Sequence, residues 1–269
     1  MLGEIIRQNR ASKPLVHCIT NYVTANDCAN LLLACGGSAI MSDDPEEVAE
    51  VTAACDGLVL NMGTPNPRKL EAMLKAGRAA NALGHPVILD PVGAGCSTLR
   101  KQAAHQLLEE VRFAAIRGNA SEIASLARGS ATRRGVDAEP AEATGDALES
   151  ARQLAKALGA VVIVTGDTDI VVDAEQTCLV RNGHPMMRTV TGTGCQLSAL
   201  IGAYVASNPS KPLQAVLAAV CAMGLCGEIA HERLTPLDGN ASYRNYMIDA
   251  IYRLTPEALE KGARYEIGF

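Results

Sequence analysis

A chain of 269 residues with a net charge of −5 and a pI near 5.6 lacks the basic footprint that a phosphate backbone demands, which excludes a general nucleic-acid-binding role. With 48% hydrophobic residues and no linker-like stretch, it is expected to bury one sizeable core as a single domain over residues 1–269. Tryptophan is absent and there are only two phenylalanines, so that core is built from Ala, Val, Leu and Ile, the palette of packed helices and parallel strands.

Residues 2 to 11 predict a short amphipathic helix, and PLVHCIT (Pro14 to Thr20) a first strand with Asn21 at its exit. Charges in MLGEIIRQNR interrupt the place where a signal peptide needs an apolar core, and no apolar run is read as membrane-spanning; a cytoplasmic protein without a membrane partner is expected. A helix interrupted by Asn26, Asp27 and Asn30 ends at Gly36-Gly37, and SAIM (Ser38 to Met41) is a second strand. Asn21 suits either a helix cap or a binding role at a strand end, and Met41 either core filling or a substrate wall. The acidic run Asp43 to Glu47 reads as a helix start rather than a metal site.

GLVLNMG (Gly57 to Gly63) is a third strand, PNPRKLEAMLKAGRAANAL a helix closed by Gly84, and HPVILDP (His85 to Pro91) a fourth strand. This βαβα alternation predicts a parallel sheet with helices on both faces and binding groups at the strands' carboxyl ends. Asp90 falls at such an end beside Gly93 and Gly95, where a carboxylate suits a hard cation, a reacting hydroxyl or a turn cap. In FAAIRGNASEIASLA the strand ends near Arg117; Asn119 and Glu122 have the spacing of a capping box, while Glu122 near Asp90 would also let two carboxylates bracket a phosphate-bound Mg²⁺ through water.

Residues 128 to 140 are the most loop-like, and Ala141 to Leu158 a long helix stopped by Gly159. VVIVTG (Val161 to Gly166) is a sixth strand with Thr165 at its end, and DIVVDAEQTCLVRNG a hairpin about Ala174-Glu175. TVTGTGCQLSAL follows, in which Gly192 and Gly194 free the backbone N–H groups ahead of an apolar helix that Thr191 or Thr193 would cap. Gly192, Thr193, Gly194 and Cys195 thus form either an anion hole at a helix start or an ordinary turn before a buried helix. From there helices are expected to the C-terminus, with His231 assigned to packing. Nine cysteines without a C-x-x-C pair fit buried small hydrophobes, and five scattered histidines give no zinc motif.

Six segments in order, VHCITNYVTANDCAN, LVLNMGT, ILDPVGAG, AAIRGNASEI, IVTGD and TVTGTGC, resemble the hydroxyethylthiazole kinases of thiamine salvage. The resemblance covers nearly the whole chain. It implies an α/β ribokinase-like three-layer sandwich, with a mostly parallel central sheet, helices on both faces and no separate lid domain. It implies an ATP- and Mg²⁺-dependent kinase that phosphorylates the hydroxyl of 4-methyl-5-(2-hydroxyethyl)thiazole, acting as a homotrimer with active sites at subunit interfaces. Residue by residue, it implies that Arg117 and Thr165 contact ATP, Asp90 and Glu122 serve the magnesium, and Met41, Gly194 and Asn21 line the thiazole site. Cys195 takes the place of the aspartate base of related kinases, and a helix N-terminus is expected to lower its thiol pKa. Two other readings stand beside this one: an ATP-dependent hydro-lyase of the nicotinamide-repair type and a non-catalytic nucleotide-binding protein.

Overall fold

The computed structural model describes residues 1–131 and 145–268. Among the described residues nine strands form one sheet: β1 (Leu15–Ile19), β2 (Ser38–Ile40), β3 (Gly57–Asn61), β4 (Val87–Asp90), β5 (Ala115–Asn119), β6 (Val161–Thr165), β7 (Asp169–Val172), β8 (Thr177–Val180) and β9 (Tyr265–Gly268). Their order is β2-β1-β3-β4-β5-β6-β7-β8-β9; the strands from β2 to β6 run parallel, and β7, β8 and β9 extend the sheet antiparallel. The expected parallel sheet and its appended hairpin are therefore present. Strand β9 was not expected: Tyr265 to Gly268 is short and mostly exposed, and only its pairing with β8 makes it a strand.

Alternate residues of each strand feed two cores. Val16, Cys18, Val59, Ile88 and Ile163 pack under α1 (Leu2–Ser12), α2 (Ala25–Ala34), α8 (Thr193–Ser207), α9 (Pro212–Glu232) and α10 (Asn240–Arg253). Leu58, Leu60, Val87, Leu89, Ile116 and Val162 face α4 (Pro67–Leu83), α5 (Thr98–Glu110), α6 (Ala120–Ala131) and α7 (Gly145–Leu158). This two-sided burial is why the strands read as unbroken apolar runs. Two short helices, α3 (Val48–Ala53) and α11 (Pro256–Gly262), and a 3₁₀ turn over Pro185–Thr189 complete the described elements.

Several boundaries follow directly from local chemistry. Asn66 accepts a hydrogen bond from the Lys69 N–H to start α4, Pro67 occupies its first turn, and Gly84 ends it with φ of 75°. Helix α6 continues through Ala131, beyond the expected loop start at residue 128; the rest of that loop, and the expected helix over 141 to 144, lie outside the described residues. Contrary to the sequence expectation, α9 is long and apolar enough to cross a membrane, with a mean hydropathy of 1.8. It is instead a core helix, 78% buried against the sheet, α8 and α10.

Candidate active site at the start of helix α8

The parallel register brings the candidate residues together, because β3, β4, β5 and β6 end side by side at one edge: Asn61 pairs with Asp90, and Asn119 with Thr165. Asp90 is wholly buried. Its Oδ2 accepts hydrogen bonds from Asn61 Nδ2 at 2.7 Å and Ser198 Oγ at 2.8 Å, and its Oδ1 faces Arg117 Nη1 at 3.6 Å without a hydrogen-bond partner. Burial pushes the Asp90 carboxyl above the ordinary aspartate range, against the opposing pull of Arg117. Arg117 in turn donates from Nη2 to Thr165 Oγ1 at 2.9 Å, joining the ends of β5 and β6.

Helix α8 closes over this group with its N-terminus. Gly192 is its N-cap at φ of 85°, a left-handed conformation that favours glycine, and a Cβ there would stand 2.3 Å from Thr24 Cγ2. Neither Thr191 nor Thr193 caps the helix, contrary to expectation, because Gly192 occupies the cap and offers no side chain. The first intrahelical bond runs from Gln196 N–H to Gly192 C=O, so the N–H groups of Thr193, Gly194 and Cys195 lie outside the helical ladder. Gly194 lies directly against the Arg117 guanidinium: a Cβ would stand 2.3 Å from Nη1. Free N–H donors, a helix dipole and a guanidinium converge on one point, the make-up of an anion site.

On the far side of that point, Cys195 Sγ accepts contacts from Asn21 Nδ2 at 3.4 Å and Asn61 Nδ2 at 3.3 Å. Asn21 Nδ2 also donates to Asn61 Oδ1 at 2.9 Å, while Asn21 Oδ1 accepts the N–H groups of Val23 and Thr24. Asn21 is thus both the turn former ahead of α2 and a member of the site. The expected lowering of the Cys195 pKa is reversed: burial, then the neighbouring Asp90 charge, push the thiol up, outweighing the amides that favour its thiolate. Of the other cysteines, seven are buried and Cys96 is exposed, in keeping with packing roles.

Glu122 realises the capping box: Asn119 N–H donates to its Oε2 at 2.8 Å, and its own N–H donates to Asn119 Oδ1. Its Oε1 accepts from Gly93 N–H at 2.7 Å, which ties α6 to the loop after Asp90. Glu122 is near enough to Asp90 for its charge to oppose ionisation there. An orphaned buried oxygen on Asp90, with a second carboxylate close by, suits a hard cation. Among the described residues no three His, Cys, Asp or Glu side chains cluster as a metal cage. Met41 stands apart at the end of β2, 37% exposed.

A cavity of about 570 Å³ opens beside the helix start, running from Arg117, Thr165 and Gly194 to His184, Met187 and Met223. Sequence reasoning missed its distal wall, which comes from the aperiodic segment between β8 and α8. It also missed Asn61, Ser198 and Arg100. Arg100 on α5 donates to the carbonyls of Met62, Gly63 and Val92, fixing the loops after β3 and β4. His231, expected to pack, is exposed, and its ring stacks on that of His184 at 3.6 Å.

A sequence model of the hydroxyethylthiazole kinase family matches residues 6–257. A hydroxyethylthiazole kinase of Clostridium acetobutylicum is 52% identical over 271 residues, covering 99% of both chains. The structure of a hydroxyethylthiazole kinase protein from Pyrococcus horikoshii OT3 superposes with a TM-score of 0.89 at 33% identity, covering 100% of this chain and 99% of that one. A ribokinase-like superfamily protein from Enterococcus faecalis shares the fold alone, with a TM-score of 0.60 at 14% identity, covering 92% of this chain and 94% of that one. With the expected three-layer α/β sandwich in place, these full-length matches mean that the chain belongs to the hydroxyethylthiazole kinase family.

Proposed function

We propose that the protein transfers the γ-phosphoryl group of ATP to the hydroxyl of hydroxyethylthiazole, forming the phosphate ester, as one cytoplasmic domain. The observation that carries this is the helix start of α8, whose free N–H groups and adjacent Arg117 lie between the cavity and the buried cluster of Asn21, Asn61, Asp90 and Cys195. Phosphoryl transfer depends mostly on alignment and charge stabilisation, so a donor-lined point between a nucleotide site and an alcohol site is the arrangement it needs.

In this reading the triphosphate lies in the cavity with its terminal phosphoryl group at Thr193, Gly194 and Cys195, steadied by Arg117 and Thr165. Asn21, Gly194 and the wall near Met41 receive the alcohol. Asp90 and Glu122 would hold Mg²⁺, which when bound would offset charge on the phosphate chain. Cys195, kept as a neutral thiol by burial beside Asp90, orients the hydroxyl rather than removing its proton. Tyr22 (80% exposed) and Val23, which directly follow Asn21, and Leu33 and Met41 are exposed apolar side chains, which supports a homotrimer with the site at the subunit boundary.

The test is incubation with Mg·ATP and a panel of small alcohols, including hydroxyethylthiazole and hydroxymethylpyrimidine, with ADP and ester quantified. Hydroxyethylthiazole phosphate is expected as the main ester, and its formation should stop when EDTA removes the magnesium. Nucleotide turnover without any ester would favour the hydro-lyase reading, and binding without turnover the non-catalytic one.

A further inference from the structure

The cavity has two chemically different ends. Its lining extends from Arg117 on β5 and Thr165 on β6 past the β7–β8 hairpin to residues 182 to 188, with Val220, Met223 and Gly224 of α9 above. Three strand spacings separate β5 from β8, roughly 14 Å, about the reach of an extended nucleoside triphosphate. The first end carries the guanidinium and the free N–H groups. The second carries the apolar Pro185, Met187, Val220 and Met223 beside Asn182 and Arg188, and has His184 as the one aromatic ring among the described lining side chains.

That ring is fixed in place. His184 Nδ1 accepts the Met186 N–H at 3.2 Å, which leaves the proton on Nε2 in the neutral form. Burial first, and then its neighbour His231, depress the His184 pKa and favour that form. The two rings are 3.6 Å apart and inclined by 22°, and His231 is exposed while His184 belongs to the cavity wall. The backbone beneath is braced: Gly183 N–H donates to Glu228 Oε1 at 2.6 Å, and Arg264 grips both Glu228 oxygens at 2.8 and 2.9 Å. Arg264 N–H also donates to Asn182 Oδ1 at 2.7 Å, and a Cβ on Gly224 would strike the Asn182 backbone at 2.6 Å. Strand β9 and helix α9 thereby hold the segment that carries His184.

We infer that the stacked His184–His231 pair is the platform that receives the heteroaromatic base of the nucleoside triphosphate, with His184 as the contact ring and His231 as its backing. The inference rests on the assignment of this cavity to the nucleotide. In a chain with no tryptophan and two phenylalanines, a pair of imidazoles supplies the π-surface at the end of the cavity opposite the anion site. Because the pair is braced by Glu228 and Arg264, the base meets a preformed surface.

The experiment compares the parent enzyme with His184→Ala, His184→Phe and His231→Ala, measuring KM for ATP, KM for hydroxyethylthiazole, kcat, and competitive inhibition by inorganic tripolyphosphate. Loss of one base–aromatic stack raises KM for ATP by about 10-fold in His184→Ala, and kcat moves far less. His184→Phe recovers most of this loss, and His231→Ala shows a smaller rise of about 3-fold. Tripolyphosphate, which has no base, inhibits all four proteins equally. An unchanged KM for ATP in His184→Ala, or a parallel weakening of tripolyphosphate, overturns the platform. If tripolyphosphate fails to compete with ATP in the parent enzyme, the phosphate-site assignment itself falls, and the platform with it.

Discussion

The two sides of the α8 N-terminus are built differently. On the cavity side one chain supplies a void of about 570 Å³, walls from two helices and three strands, and a braced distal segment. On the other side Asn21, Asn61, Asp90 and Ser198 are locked to one another, and the apolar residues Tyr22 and Val23 next to Asn21, with Leu33 further along α2, are exposed, at 80%, 58% and 59%. One side offers a ready volume and the other a finished polar floor beside an open apolar rim. On the proposed function, the difference teaches that the nucleotide half would be a property of the fold, whereas the alcohol half would call for a covering surface.

The shared point between the halves should be the most sensitive to change. A Cβ on Gly194 would stand 2.3 Å from Arg117 Nη1, so Gly194→Val displaces the guanidinium and obstructs the N–H donors together. Turnover is expected to fall by about 10²–10³-fold, the loss typical for removing such donors. Steady-state kinetics on protein whose circular dichroism matches the parent checks this; substantial activity in Gly194→Val would detach the anion site from the chemistry.

Asp169 tests the cavity side by stability. Its half-buried carboxylate accepts the Gly166 N–H at 2.9 Å, and burial raises its pKa from 3.8 to about 6. Such a group costs nothing while protonated in both states; stability is lost as pH rises from about 4 through about 6, because the ionised form is disfavoured in the fold. Asp169→Asn keeps the acceptor and removes the charge. It should stabilise the protein at pH 7 by on the order of 2 kcal/mol, after allowing for solvent contact, and by only about 0.5 kcal/mol at pH 4. Urea titrations at the two pH values measure the difference, and an equal effect at both would mean that the charge is not the cause.

Much of this arrangement was legible in the sequence because parallel strands place their last residues along one edge. Asn21, Asp90 and Thr165 could be read as strand ends, and Gly192 and Gly194 as a helix start. Asn61 was not singled out, although it pairs with Asp90 in register, because an asparagine before a turn has many ordinary explanations. Ser198 lies one helical turn beyond Cys195, and nothing in an apolar helix marks one serine as facing a carboxylate. The His184–His231 stack joins residues 47 positions apart through the packing of α9, which no local pattern encodes. The Cys195 expectation failed for a related reason: helix position was visible, but burial beside Asp90 was not.

The exposed rim provides a third test. Leu33→Glu combined with Tyr22→Glu places two charges where an oligomer would bury apolar surface. A side chain of this size contributes about 1.5–3 kcal/mol on burial, so the assembly should weaken by about 10-fold or more per position. Light scattering is expected to show smaller particles. KM for hydroxyethylthiazole should rise while KM for ATP stays within about 2-fold, since 1.4 kcal/mol per decade leaves little room for a change in an untouched cavity. A stable monomer with unaltered kinetics for both substrates would show that the alcohol side is complete by itself.

The smallest effect is expected at Cys195, where the two sides meet. Its thiol lies at a helix N-terminus, which favours a thiolate, but burial and the charge of Asp90 favour the thiol more, so its pKa is raised from an already alkaline 9.0. At neutral pH this favours the thiol, which cannot accept the alcohol's proton. A loose transfer needs little from a base, because the hydroxyl's proton leaves late. Cys195→Ala removes only a weak partner of Asn21 and Asn61, whose amides remain bonded to each other. Turnover should fall by less than about 10-fold, well short of the 10²–10⁴ typical of a lost general base. The decisive readout is the pH profile: parent and variant should run parallel between pH 6 and pH 9, separated by a constant factor. A limb that rises with pH in the parent and is missing in Cys195→Ala would restore the thiolate as the base and make the alcohol side, rather than the anion site, the seat of the proton transfer.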